Sequence, residues 1–235
     1  MMSIHLRLSV LALVTLVVVL AAASVHAPLS AQAGAPNGEW RTYGGDLAST
    51  HYAPLDQINR DTFNKLEVAW RFKTDAFGPR PEVNFEGTPL MADGVLYATV
   101  GSRRAVVALD AATGEILWMH REEEGKRADT APRKLSGRGL AYWSDGRDAR
   151  ILYVTPGYRL IALDAKTGSP VGGFGQSGVV DLKLEDDQTM DLIDGEVGLH
   201  AAPIVARDVV IVGAAHLPGG VPKSMKNEKD RKSVV

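Results

Sequence analysis

Ala108-Leu109-Asp110-Ala111-Ala112-Thr113-Gly114-Glu115-Ile116-Leu117-Trp118 is the stretch whose reading decides the fold. It returns as Ala162-Leu163-Asp164-Ala165-Lys166-Thr167-Gly168, this time followed by Phe174 in place of a tryptophan. Each copy follows strand-like runs, Gly94 to Thr99 with Ala105 to Leu109, and Ile151 to Thr155 with Arg159 to Leu163. The motif has a mechanical sense. A strand ends on a small residue, the Asp accepts turn hydrogen bonds, Thr-Gly supplies positive φ, and the next strand carries a large aromatic. That aromatic can pack where the neighbouring unit offers only Ala and Gly.

Outward from the repeat, the chain keeps the same character. Val68-Ala69-Trp70-Arg71-Phe72 alternates as a half-buried strand should, and Trp70 takes the place of the docking aromatic of an earlier unit. A third unit opens at Ala201-Ala202-Pro203-Ile204 and Val209 to Val212. Few stretches suit a helix. Units of four short strands that recur at this spacing define an all-β protein, a β-propeller, with about three blades present.

The bulk properties exclude other classes. The formal net charge is −2 and the charges are dispersed. A nucleic-acid binder would show a basic face. With no cysteine, disulfides and thiolate metal sites are ruled out, and the six histidines lack zinc spacing. Arg7 is the only charged residue before Glu39 and precedes an apolar run, Leu8 to Val25. Val25-His26-Ala27 and Ala31-Gln32-Ala33 both fit small-x-small cleavage, so residues 1–33 are expected to be a signal peptide directing export to the periplasm. A retained membrane anchor is the alternative.

The Ala-x-Asp-x-x-Thr-Gly-x-x-x-Trp repeat resembles the tryptophan-docking motif of the PQQ-dependent (quinoprotein) alcohol and sugar dehydrogenases, which implies an eight-bladed propeller in the parent protein. Tyr43-Gly44-Gly45-Asp46 and His51 to Asn59 resemble the lead-in of those enzymes, where a structural role, latching the N-terminus, is expected. Residues 34–229 would then be the N-terminal part of the propeller. The last six, Asp230-Arg231-Lys232-Ser233-Val234-Val235, break the family pattern and are expected to be a non-native tail.

Two cofactor contacts follow from the resemblance. Phe85-Glu86-Gly87-Thr88-Pro89-Leu90 is similar to the family segment whose Glu meets PQQ, although a lone Glu at a blade rim is usually solvated. Gly137-Arg138-Gly139-Leu140-Ala141-Tyr142-Trp143 is similar to the segment whose Arg reaches a PQQ carboxylate or quinone oxygen. A guanidinium suits this because its planar fork pairs bidentately and stays charged on burial. The departures are specific. Ala131 to Ser136 stands where the methanol-oxidising branch has a cysteine pair. His200 replaces a cofactor-contacting Thr, and Pro218 replaces a Glu that binds calcium. These features, with Gly172 to Leu182, look closest to the membrane-type glucose dehydrogenase branch. Arg121 to Arg127 is expected to be a solvated loop, as is Glu185-Asp186-Asp187.

The resemblance therefore implies a periplasmic enzyme that oxidises an alcohol or sugar hydroxyl with PQQ and Ca²⁺. Electrons would leave to ubiquinone or cytochrome c. Neither a catalytic residue nor a metal ligand is assigned within this chain, so the chain by itself is expected to be inactive. The alternative is a non-catalytic propeller scaffold of the outer-membrane assembly type.

Overall fold

A computed structural model describes residues 34–78, 82, 85–135, 137, 139–184, 191–195, 197–199, 201–213 and 233–234. The expected signal peptide, Arg138, His200, Pro218 and Glu185 to Asp187 lie outside the described residues. Three antiparallel sheets make up the fold. The first holds β1 (Leu90–Ala92), β2 (Val95–Val100), β3 (Ala105–Asp110) and β4 (Ile116–His120), in that order. The second repeats the meander with β5 (Ala141–Ser144), β6 (Ala149–Val154), β7 (Arg159–Asp164) and β8 (Val179–Asp181). The third sets β9 (Ile204–Ala206) beside β10 (Val209–Val212), with the short β11 (Ser233–Val234) on the other edge of β10. A single helical turn, α1 (Lys126–Asp129), lies between the first two sheets in sequence.

The inner strands β2, β3, β6 and β7 are buried on both faces along most of their length, which is why they read as nearly continuous apolar runs. On the first sheet Tyr97, Val106, Ala108 and Trp118 face the second, meeting Tyr142, Ile151, Tyr153, Ile161 and Leu163. Its opposite face, Ala98, Val100, Val107 and Leu109, takes Trp70, Phe72 and Phe77. The second sheet gives Leu152, Val154, Leu160 and Ala162 to a core shared with Val210 and Val212 of the third. Sheets stacked face to face in this way are propeller blades.

The repeat locks neighbouring blades together. In each copy the Asp carboxylate closes the turn. Asp110 Oδ1 accepts from the Ala112 and Thr113 amides at 3.0 and 2.8 Å. Asp164 accepts from Lys166 and Thr167 at 3.0 and 2.8 Å. The turn leaves Gly114 and Gly168 at φ of +75° and +70°. A Cβ at Gly168 would lie 2.5 Å from the Trp118 ring, and one at Gly114 would lie 2.6 Å from Trp70. Each indole lies flat against a glycine and donates to the residue after the Asp, Trp70 to Ala111 O at 3.1 Å and Trp118 to Ala165 O at 2.9 Å.

Three expectations are corrected. Residues 68–72 alternate in burial only from Ala69 to Phe72, with Val68 exposed; they have no ladder partner among the described residues and are no strand. Phe174 does not stand in for Trp118. Pro170 bridges to Leu163, the chain leaves the sheet at Val171, and Phe174 packs from a turn before β8 begins. A proline and paired glycines at 172 and 173 favour that excursion over a continuous outer strand. The segment 121–127 is only partly solvated. The Glu124 side chain is 1% exposed and that of Arg127 is 3% exposed.

The first part of the lead-in acts as a latch, whereas residues 54–59 are exposed. Trp40 exchanges backbone hydrogen bonds with Met91 at 2.8 and 2.9 Å. Arg41 reaches Asp93 at 3.2 Å and lies over the Tyr142 ring of the second blade at 5.0 Å. Residues 42–49 then cover Ala141, Tyr142, Ile204 and Val205 around a cavity of about 100 Å³.

Because Gly168 combines a left-handed backbone with an indole in contact, Gly168→Ala should destabilise the chain by more than the roughly 1–2 kcal/mol of the backbone conformation alone. Gly172→Ala, where a Cβ meets nothing within 4 Å, should leave the urea midpoint nearly unchanged.

Candidate cofactor site

The antiparallel register places several connections at one end of the first two blades. Leu90 pairs with Tyr97, so the start of β1 lies beside the end of β2 and the turn 101–104. Val106 pairs with His120, which brings the loop after β4 to the same end. Ala141 pairs with Leu152, adding the start of β5 and the turn after β6. Both segments singled out in the sequence arrive here.

They also meet. Thr88 and Gly139 form a parallel bridge, so the backbone carrying Glu86 and the backbone leading into β5 lie side by side across two blades. Gly139 has φ of +128°, and a Cβ there would fall 2.8 Å from the Thr88 carbonyl oxygen. This approach requires glycine. Glu86 is half-buried. Beside it, Gly87 leaves room that a Cβ would fill 3.3 Å from Thr99 Oγ1. That hydroxyl is buried and has no hydrogen-bond partner among the described residues.

Beneath the second segment lies Arg104, which the sequence reading missed. Its guanidinium donates to three carbonyl oxygens: Arg133 at 3.0 Å, Leu135 at 2.9 Å and Val154 at 2.8 Å. Burial pulls its pKa down to about 10, so it stays charged near neutral pH. Gly137, at φ of +71°, rests on it; a Cβ would be 3.3 Å from the guanidinium. In sequence Arg104 is one of two adjacent arginines in a turn, and nothing local separates the buried one from the exposed Arg103.

A second ionic cluster braces the same end. Arg127 donates to both Asp181 oxygens, at 2.7 and 2.5 Å, and to Gly157 O at 2.6 Å. The Glu124 carboxylate accepts from Thr155 Oγ1 at 2.9 Å, from the Gly157 amide at 2.7 Å and from Arg159 at 3.2 Å. Lys183 Nζ donates to Gly195 O at 2.8 Å, and burial draws its pKa down to about 8. Burial alone would raise the Asp181 carboxyl, but the Arg127 pairing outweighs it and holds the pKa below the usual range. Loop 121–127 was read as solvated because its charges are dense, and density does not reveal pairing.

This end of the molecule suits a planar, anionic quinone. Such a ligand needs donors, positive potential and close backbone approach. The orphaned Thr99 hydroxyl, the buried Arg104 charge and the glycines at 87, 137 and 139 supply these. Where the guanidinium of Arg138 itself lies is outside the described residues.

A propeller with docked tryptophans and this clustered face is the architecture of the quinoprotein dehydrogenases. The chain belongs to that family: residues 40–229 match the PQQ family, glucose/ethanol/alcohol dehydrogenase, β-propeller domain. It is 36% identical over 178 residues to the dehydrogenase subunit of the quinone alcohol dehydrogenase of Gluconacetobacter polyoxogenes, covering 75% of this chain and 22% of the relative. To the quinoprotein glucose dehydrogenase of Gluconobacter oxydans it is 27% identical over 206 residues, 80% of this chain and 25% of the relative. Among solved structures, the quinohemoprotein alcohol dehydrogenase from Comamonas testosteroni superposes with a TM-score of 0.59 at 27% identity, covering 76% of this chain and 23% of that one. The chain thus spans a quarter or less of the length of these relatives.

The Asp181 contribution to stability is present above the unfolded carboxyl pKa and is lost as pH falls through the depressed folded value. Asp181→Asn should cost about 3–5 kcal/mol at neutral pH, because it strands the buried Arg127 charge. Below about pH 4 the difference in melting temperature between wild type and variant should shrink.

Proposed function

We propose that this chain is the N-terminal part of a periplasmic PQQ-dependent dehydrogenase that oxidises an alcohol or sugar hydroxyl. The observation that carries this reading is the Thr88–Gly139 bridge, which sets the Glu86 segment against the segment of Arg138 on the braced face of a propeller. When bound, PQQ supplies a two-electron oxidant, and the protein's part is to hold and polarise it. Glu86 accepts a hydrogen bond from a ring N–H, and Arg138 pairs with a carboxylate or quinone oxygen. Arg104 provides positive potential behind them. A carboxylate beside an anionic ligand needs this compensation.

The finer parts of the reading rest on family resemblance. Ca²⁺ would supply polarisation of the quinone in this scheme, and we assign it no ligand among residues 34–213. Ubiquinone or cytochrome c receives the electrons. Residues 1–33 direct export, so the mature protein should begin after Ala27 or Ala33, as N-terminal sequencing of the exported form would show. The general base belongs to a part of the protein other than this chain. The 235-residue chain by itself should therefore give no PQQ-dependent dye reduction.

The test is a PQQ titration, with Ca²⁺, of the protein expressed from its complete source reading frame. Arg138→Ala should weaken binding about 10- to 100-fold, as expected for a lost charge-assisted hydrogen bond of roughly 1.5–3 kcal/mol, and Glu86→Gln should weaken it less. No PQQ binding and no PQQ-dependent dye reduction by the wild type would overturn the reading and favour a scaffold.

A further inference from the structure

We infer that Arg104 is a positioning residue for the cofactor, a role that rests on the PQQ reading above. It sits in the turn between β2 and β3 of the first blade, yet two of its three carbonyl partners, Arg133 and Leu135, belong to the loop that leads into the second. Its third partner, Val154, ends β6 of the second blade. One side chain therefore ties the loop to both blades at once.

The neighbours of residue 138 are fixed from two directions. Gly137 lies on the Arg104 guanidinium, where only a residue without a side chain fits without displacement. Gly139 is bridged to Thr88 of the first blade. The segment is thus anchored at both of these glycines. A loop-borne cation gains affinity for an anion when its ordering cost is met before binding.

The chemistry of Arg104 also exceeds what packing requires. It is 4% exposed, one of the few buried charged side chains among the described residues. It makes no ion pair among the described residues, and its partners there are neutral carbonyls. Glu124 and Glu82 act on it through space. With no carboxylate bonded to it among the described residues, Arg104 keeps part of its positive potential for the face on which Glu86 and Gly139 lie. An anionic quinone is drawn to that potential. Arg104 thus does two things, holding the loop and biasing the site toward anions, and a lysine can replace only part of the first.

The experiment compares Arg104→Met, Arg104→Lys and Tyr97→Phe in the protein from its complete source reading frame. Tyr97→Phe removes a buried hydrogen bond to Ala165 at the opposite end of the blade and serves as the stability control. The readouts are PQQ affinity by titration, the rate of tryptic cleavage at exposed Lys134, and the melting temperature. Arg104→Met should weaken PQQ binding at least tenfold and speed cleavage at Lys134 at least tenfold. Arg104→Lys should recover part of the affinity while the loop stays more cleavable than in wild type. Tyr97→Phe should lower the melting temperature and leave PQQ affinity and Lys134 cleavage near wild type. The inference falls if Arg104→Met binds PQQ like wild type, or loses no more affinity than Tyr97→Phe. If Arg104→Met does not fold, wild-type affinity and cleavage in Arg104→Lys would overturn it. If the wild type binds no PQQ, the proposed function falls instead. Lys134 cleavage still decides, on its own, whether Arg104 holds the loop.

Discussion

The rest of the structure depends on one contact made twice: an indole lying flat on a glycine of the next repeat, its N–H bonded to a carbonyl beside that glycine. The geometry needs each part of the motif. Without the Asp-closed turn the glycine would not sit at positive φ, and with any side chain there the ring could not approach. The hydrogen bond sets the indole's direction as well as its contact. Tyr97 adds a second donor to the same Ala165 carbonyl, at 3.1 Å. Blade spacing is therefore set by covalent geometry and a hydrogen bond, and apolar packing fills what is left.

That constraint positions the site. Once the two blades are docked, the starts of β1 and β5 stand near each other at one end. Their backbones can then form the Thr88–Gly139 bridge. The same end gathers the buried charges. Arg127 with Asp181, Glu124 with Arg159, and Arg104 on its three carbonyls all brace loops there. Buried ionic networks add little net stability compared with apolar packing, because desolvation offsets much of the attraction. Their concentration on one face is better understood as support for a polar, charged site than as general reinforcement.

The sequence showed most of the fold, because the repeat is local. Strand alternation, the Asp turn, the glycine and the aromatic all lie within eleven consecutive residues, and each has its own physical reason. The prediction weakened where pairing depends on distant chain. Residues 68–72 have the alternation of a strand, yet a strand is defined by its ladder, which periodicity cannot supply. Phe174 matched by residue type, but its surroundings of Pro170, Gly172 and Gly173 turn the chain out of the sheet before it.

The site divides in the same way. The segments of Glu86 and Arg138 were singled out through family resemblance, and the glycines at 137 and 139 marked a close backbone approach. Arg104 and Glu124 were not legible, because each lies beside residues of like charge that are exposed. Sequence alone determined the repeat and the blade, which follow from neighbouring residues, whereas the segments of Glu86 and Arg138 were singled out through family resemblance. Only the tertiary structure decided which charges are buried, which carbonyls Arg104 holds and which two backbones meet. Burial and pairing arise between residues that are tens of positions apart, and the sheets must be stacked before either exists.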